Sequence, residues 1–242
     1  MSSFENIKIL DIRVDKLTKK QALAEFERLL DTEGCSLIVT LNAEMVEKAS
    51  REPQLAKIIN TADMVIPDGV GLLYASKIKG EPIEEKVAGV EFAESAIEVC
   101  AGKGRKVFLL GGKPGIAQIA AKKLCEKYPG LLIAGTRDGY FKPEEEDEIV
   151  RRINESGADF LCVGMGFPRQ ELFIDRRRGQ LAAKIAVGVG GSLDIWSGTL
   201  KRAPQFFLDN GLEWLYRMVQ EPWRFKRLPA LSAFLIKSAF RR

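Results

Sequence analysis

Ser36-Leu-Ile-Val-Thr-Leu-Asn-Ala-Glu-Met-Val-Glu-Lys-Ala-Ser50 changes its period in the middle, and that change sets the fold class. Ser36 to Leu41 is a short apolar run of strand length, whereas Ala43 to Ser50 has helical period. The strand therefore runs into a helix through Thr40-Leu41-Asn42, with no room for a hairpin. The same grammar recurs on both sides. Strands are predicted at Ile7 to Val14, Met64 to Ile66, Lys106 to Leu110, Leu131 to Thr136, Phe160 to Gly164 and Lys184 to Val189. Helices are predicted at Lys19 to Leu30, Gln54 to Thr61, Val70 to Ile78, Gly89 to Ala101, Pro114 to Lys127, Pro143 to Ser156 and Phe167 to Arg178. Thr18 and Lys142-Pro143 are helix starts, and Gly130 and Gly157 are stops. Strands alternating with helices predict an α/β fold, a Rossmann-like and mostly parallel sheet with helices on both faces.

Composition changes near Lys201-Arg-Ala-Pro204, after which the chain reads as wholly helical. Residues 1–204 are thus expected to form the α/β domain and 205–242 a C-terminal helical appendage. From 201 to 242 nine basic residues face three acidic ones, a net of +6, while the whole chain carries +4 and residues 1–200 therefore −2. In Leu212-Glu-Trp-Leu-Tyr-Arg-Met-Val-Gln-Glu-Pro-Trp-Arg-Phe-Lys-Arg-Leu228 the arginines Arg217, Arg224 and Arg227 are interleaved with aromatics. A seven-residue step returns to nearly the same helix face, so Arg217 and Arg224 are placed to share one diphosphate, with Pro222 marking a kink between them. Forked guanidinium donors suit phosphate oxygens. A solvated basic helix packed by its aromatics is the alternative reading. The tail from Leu228 to Phe240 is too short to span a bilayer, and either lies in the headgroup zone or packs as a core helix or subunit contact. Out of contact with lipid, such a tail favours a homo-oligomer.

The 242 residues include no histidine, so triad hydrolases and histidine-ligated zinc enzymes are excluded and acid–base chemistry falls to Asp, Glu, Lys, Tyr or Cys. The start lacks the features of a signal peptide, which predicts a cytoplasmic protein. Cys35, Cys100, Cys125 and Cys162 are widely spaced and read as buried reduced thiols. No turn matches a dinucleotide or P-loop fingerprint. The modest overall charge argues against nucleic acid as partner, although the tail has the aromatic and basic interleaving of such proteins.

In open α/β sheets ligands bind at the carboxyl ends of the strands, and the unusual residues fall there. They are Thr40-Leu41-Asn42, Pro67-Asp68-Gly69, Gly111-Gly112-Lys113-Pro114-Gly115, Gly164-Met-Gly-Phe-Pro-Arg-Gln-Glu171 and Gly188-Val-Gly-Gly-Ser-Leu-Asp194. Several glycine-rich strand-to-helix turns in one sheet point to a phosphate-bearing ligand. Asp68 is the first choice for a catalytic carboxylate, although Pro-Asp-Gly also suits an ordinary turn. Thr40 and Asn42 suit sugar hydroxyls or, equally, a helix cap. Gln170 and Glu171 fit a ligand site, and capping explains Glu171 nearly as well. Asp194 is a weaker second carboxylate, and no Asp-x-Asp metal motif stands in a strand-end loop.

Thr40-x-Asn42, Pro67-Asp-Gly69, Leu110-Gly-Gly112, Gly164-Met-Gly-x-Pro-Arg-Gln-Glu171, Gly188-Val-Gly-Gly191, Lys201-Arg-Ala-Pro204 and Glu213-Trp-Leu-Tyr-Arg217 through Glu221-Pro-Trp-Arg224 follow one another in order. With them the chain resembles the WecG/TagA/CpsF family of bacterial glycosyltransferases over nearly its full length. The resemblance implies inverting transfer of N-acetylmannosamine from its UDP conjugate to the 4-hydroxyl of N-acetylglucosamine on a polyprenyl diphosphate, at the inner leaflet of the plasma membrane. It implies no cofactor and no metal. Asp68 would be the base, and Thr40, Asn42, Gln170, Lys86, Gly111 and Gly112 would contact substrate. Arg217, Arg224 and Arg227 would take the metal's place beside the leaving diphosphate. Lys86 and Glu91 stand where the pattern Arg-Val-x-Gly-x-Asp has arginine and aspartate. A relative using N-acetylmannosaminuronic acid, and a peripheral binding protein without chemistry, are the competing readings.

Overall fold

A computed structural model describes residues 4–209, 211–220, 234, 237 and 238, without the side chains of residues 209 and 217. The first element corrects the sequence reading. The run from Ile7 to Val14 is two strands, β1 (Asn6–Ile9) and β2 (Ile12–Asp15), paired antiparallel. Leu10 and Asp11 between them both have positive φ, 50° and 66°, as a two-residue hairpin turn requires. Alternation resumes after the turn, so Ile7, Ile9, Ile12 and Val14 all bury on one side. The hairpin is welded to the main sheet by a buried carboxylate. Asp15 accepts from Arg13 Nε at 2.7 Å and from the Val65 amide at 2.8 Å, which occupies an edge N–H of the neighbouring strand.

The chain then follows the predicted alternation: α1 (Lys19–Leu29), β3 (Ser36–Leu41), α2 (Ala43–Ala49), α3 (Pro53–Asn60), β4 (Met64–Pro67), α4 (Val70–Ile78), α5 (Gly89–Gly102), β5 (Lys106–Gly111), α6 (Ile116–Lys127), β6 (Leu132–Arg137), α7 (Glu146–Glu155), β7 (Phe160–Gly164), α8 (Arg169–Arg177) and β8 (Ile185–Gly188). Thr18 caps α1 in a reciprocal box with Gln21. The helix predicted from Pro143 begins as a 3-10 turn over Pro143–Glu145 before α7. A short helix, α9 (Ser192–Trp196), fills the last glycine-rich turn. Beyond residue 204 the chain is not one continuous helix: α10 (Gln205–Asp209) and α11 (Glu213–Gln220) are separated at Gly211, whose φ is 67°.

Strands β3 to β8 form one parallel sheet in the order β4-β3-β8-β7-β5-β6. Period two divides its core in two. Leu37, Val39 and Leu41 of β3 pack with α2, α3, α7, α8 and the hairpin, while Ile38 packs with α1, α5, α6 and α9. Phe26 of α1 anchors the second layer, its ring edge-on to Phe160 at 4.9 Å and to Phe92 at 6.1 Å. Each such fully buried apolar side chain contributes about 1.5–3 kcal/mol. Two of the four thiols, Cys100 and Cys162, are buried, and Cys35 is half-buried. Cys125 is exposed because α6 buries the stripe Ala117, Ala120, Ala121 and Leu124, and the next residue turns outward.

Candidate active site

All six strands of the main sheet point the same way, so the turns after β3, β4, β7 and β8 meet at one edge. Two adjoining cavities lie there, of 370 Å³ and 190 Å³, and they share Asn42, Glu44, Asp68, Gly89 and Val90. Asp68 is half-buried at this junction, its amide donating to Leu41 O at 2.7 Å. Next to it Gly89 opens α5. A Cβ on Gly89 would stand 3.0 Å from both Cβ and Oγ1 of Thr40 and 3.1 Å from Asp68 Oδ2. The bare α-carbon is what lets threonine and carboxylate face the same point. Thr40 reaches that point because it lies on the α5 side of β3, and its hydroxyl is held by donating to Gly188 O at 3.2 Å.

Asn42 caps α2, accepting from the Met45 amide at 3.1 Å, and also lines both cavities. Capping and ligand contact are therefore compatible: the oxygen is engaged by the helix, and donation to a ligand falls to Nδ2. Gln170, 4% exposed, ties two turns together. Its Oε1 accepts from the amides of Gly166 and Gly190, each at 3.1 Å, and its Nε2 donates to Glu171 Oε1 at 2.8 Å. Glu171 is no surface cap. It is 2% exposed, and burial pushes its carboxyl up to about 7 against the opposing pull of the Gln170 N–H.

The two cavities differ in character. The smaller is walled by Thr40, Gln170 and the glycines of the β7–α8 and β8–α9 turns. The larger extends from Asp68 past Lys86 to Tyr74 of α4 and to Trp214 and Met218 of α11. Helices α4, α5 and α8 all begin at this edge, so their positive ends favour a negatively charged ligand. Among the described residues no group of three or more Cys, Asp or Glu side chains is placed to hold a metal ion.

Profile comparison matches residues 7–242 to the Glycosyl transferase WecG/TagA/CpsF family. The chain belongs to this family. It is 34% identical over 206 residues to N-acetylglucosaminyldiphosphoundecaprenol N-acetyl-beta-D-mannosaminyltransferase of Bacillus spizizenii, covering 85% of this chain and 79% of that one. A protein of the same name from Staphylococcus aureus is 32% identical over 98% of this chain and 94% of its own length. Another from Bacillus subtilis is 28% identical over 86% and 80%. This glycosyltransferase has the Rossmann-like α/β fold expected of its sequence.

Of the residues singled out in the sequence, Thr40, Asn42, Asp68, Lys86 and Gln170 line the two cavities. Gly111 and Gly112 line neither: Gly112 donates to Gly164 O at 3.0 Å, and Gly111 lies so close to Gly164 that a Cβ would overlap its carbonyl. The backbone of Arg217 belongs to α11, one turn after Glu213 and Trp214 of the cavity wall. Arg224 and Arg227 lie outside the described residues. Glu91 forms an ion pair with Arg202, which ties α5 to the segment leading into α10. Sequence reasoning missed Gly89 and Glu44 as site residues, and also Tyr74, Trp214 and Met218. Val87-Ala-Gly-Val90 was a signal for Gly89, since a glycine opening a helix beside no turn asks what approaches it. The apolar residues carried no such sign.

Proposed function

We propose that this glycosyltransferase moves N-acetylmannosamine from UDP to the 4-hydroxyl of N-acetylglucosamine on a polyprenyl diphosphate, with inversion and without a metal. One observation carries the reading: the Asp68 carboxylate sits where the two cavities join, so one base faces two substrates. Asp68 takes the proton of the 4-hydroxyl as that oxygen attacks the anomeric carbon. The bond from that carbon to the UDP oxygen breaks, and UDP leaves with the electron pair. One displacement gives inversion. Arg217, Arg224 and Arg227 would stabilise the charge on the leaving diphosphate, the work a cation does elsewhere. The relatives' printed names support this acceptor and this sugar.

The larger cavity suits the acceptor. It is polar at Asn42, Asp68 and Lys86 and apolar at Val70, Tyr74, Trp214 and Met218, matching a sugar diphosphate followed by isoprene units. Tyr74 and Trp214 line it, and with them α4, α10 and α11 expose Ile78, Phe206, Leu215 and Val219, together six of the nine large exposed apolar side chains among the described residues. Such a concentration favours contact with the inner leaflet. No helix among the described residues is long and apolar enough to cross a membrane, which fits a peripheral placement in which 205–242 completes a site begun by 1–204.

The test is UDP release from UDP-N-acetylmannosamine with and without a short-chain analogue of the lipid acceptor. Acceptor-dependent release is expected, falling about 10²–10⁴-fold in Asp68→Asn while UDP still binds. An unchanged rate in that variant removes Asp68 from the mechanism. Preference for the mannosaminuronic acid donor in the same assay would replace the sugar assignment and leave the site intact.

A further inference from the structure

Gln170 donates to its own chain neighbour. Glu171 follows it on the first turn of α8, and consecutive helical residues do not ordinarily face one another. Here they do, because Gly188 leaves the space. A Cβ on Gly188 would stand 2.3 Å from Gln170 Nε2 and 2.7 Å from Glu171 Oε1, so the amide and the carboxyl fill the room a side chain would take. Glu171 Oε2 is buried with no hydrogen-bond partner among the described residues. A carboxyl kept at 2% exposure with one oxygen unpartnered is costly to hold in its charged form. Its one engaged oxygen meets the one side chain that bridges the β7–α8 and β8–α9 turns.

We propose that Glu171 is a positioning residue of the donor site: by accepting from Gln170 Nε2 it holds Gln170 Oε1 on the amides of Gly166 and Gly190, and so sets the spacing of the two glycine turns that wall the smaller cavity. Oε1 accepts in either protonation state, since a proton on the carboxyl has Oε2 to occupy. Thr40 belongs to the same frame, because its hydroxyl donates to the carbonyl of Gly188, against which the pair is packed. The assignment of the cavity to the nucleotide-sugar donor rests on the proposed function; the positioning of Gln170 does not.

The experiment compares Glu171→Met, which removes the acceptor at similar volume, with Glu171→Gln, which retains an oxygen there. Glu171→Ala serves for the first where methionine does not fold. Without ligand, the Gln170 side-chain amide protons should be slow to exchange in the wild-type protein and in Glu171→Gln, and fast in Glu171→Met. UDP binding measured by calorimetry should weaken about tenfold in Glu171→Met, because the two glycine turns are no longer held at the ligand's spacing, and return to within about threefold in Glu171→Gln. The donor KM should follow the binding, kcat should change less, and the thermal midpoint of Glu171→Met at pH 8 should not fall. That last readout separates positioning from a structural role, which would lower the midpoint together with both constants. Unchanged Gln170 amide exchange in Glu171→Met overturns the assignment, and so does a Glu171→Gln protein as impaired as Glu171→Met. Failure of the wild-type protein to bind UDP, with the exchange pattern as expected, would instead overturn the donor reading of the cavity.

Discussion

Gly89→Ala should separate catalysis from stability more cleanly than any change to the carboxylate itself. The new methyl would stand 3.0 Å from Thr40 Cβ, 3.0 Å from Thr40 Oγ1 and 3.1 Å from Asp68 Oδ2. Non-bonded carbons settle at about 3.5–4.0 Å, so roughly half an ångström must be found. Thr40 Cβ cannot supply it. That atom is fixed to β3, which is hydrogen-bonded on both sides, to β4 and β8. The start of α5 must therefore shift away from β3, and the Asp68 carboxylate, carried on a turn, yields with it. A misplacement of about 1 Å at a reacting centre costs about a hundredfold in rate, so half of that corresponds to about tenfold, or about 1.4 kcal/mol of barrier. The fold feels less. Overpacking costs about 1–3 kcal/mol, and replacing glycine by alanine in a helix returns up to about 1 kcal/mol. Initial rates of UDP release at saturating donor and acceptor should therefore show kcat down about tenfold, while the thermal midpoint falls by only a few degrees. Gly102→Ala at the other end of α5 is the control, since a Cβ there meets nothing within 4 Å. It should leave kcat at the wild-type value. Wild-type kcat in Gly89→Ala would refute the view that this close approach places the carboxylate.

Three further outcomes follow from buried charge. Glu171 has a folded-state pKa of about 7 against an ordinary 4.5, so its contribution to stability is fully present below pH 4.5 and is lost as pH rises through 7. The stability advantage of Glu171→Gln over wild type should thus grow between those values to about 3 kcal/mol and then level off; urea unfolding that shows a constant difference from pH 4.5 to 8 would contradict it. Asp15→Ala leaves Arg13 and the Val65 amide without their acceptor and should cost about 3 kcal/mol in the same assay, a loss below about 1 kcal/mol counting against the hairpin weld. Lys237 Nζ lies 2.8 Å from Oε1 of Glu47, a 3% exposed residue of α2 that also pairs with Arg51. A Glu47→Gln, Lys237→Met double-mutant cycle should return a coupling of about 1 kcal/mol; effects additive within about 0.3 kcal/mol would deny that Lys237 is held on α2.

The elements were legible where the signal is local. β3 and α2 could be read from Ser36 to Ser50 because strand and helix periods differ, and α1 from the capping pair Thr18 and Gln21. The hairpin was not, since a turn through Leu10-Asp11 lacks the glycine or asparagine that usually announces it. The break at Gly211 was announced by Asp209-Asn-Gly211, a turn signal that the helical runs before and after it overrode in the reading. At the site, Asp68, Thr40, Asn42 and Gln170 stood out because polar residues after apolar strands fall at one sheet edge. Gln170 was read as a substrate contact, and its other duty, joining two turns, depends on Gly166 and Gly190 coming together.

Period and turn chemistry are properties of neighbouring residues, and they determined the α/β class and the edge at which the candidate site lies, while the ordered motifs from Thr40 to Arg224 carried the resemblance to the family. Strand order is different. Nothing local says that β8 enters between β3 and β7, yet that insertion brings Gly188 under Thr40 and Gln170 beside Gly190. Nor does anything local bring α11 across to α4, where Gly211 meets Val70 and Trp214 closes the cavity at Asp68. Apart from Gln170 with Gly190, 20 positions away, those contacts join residues more than a hundred positions apart. They exist because apolar faces must be buried in three dimensions, and only the packed structure decides which faces meet.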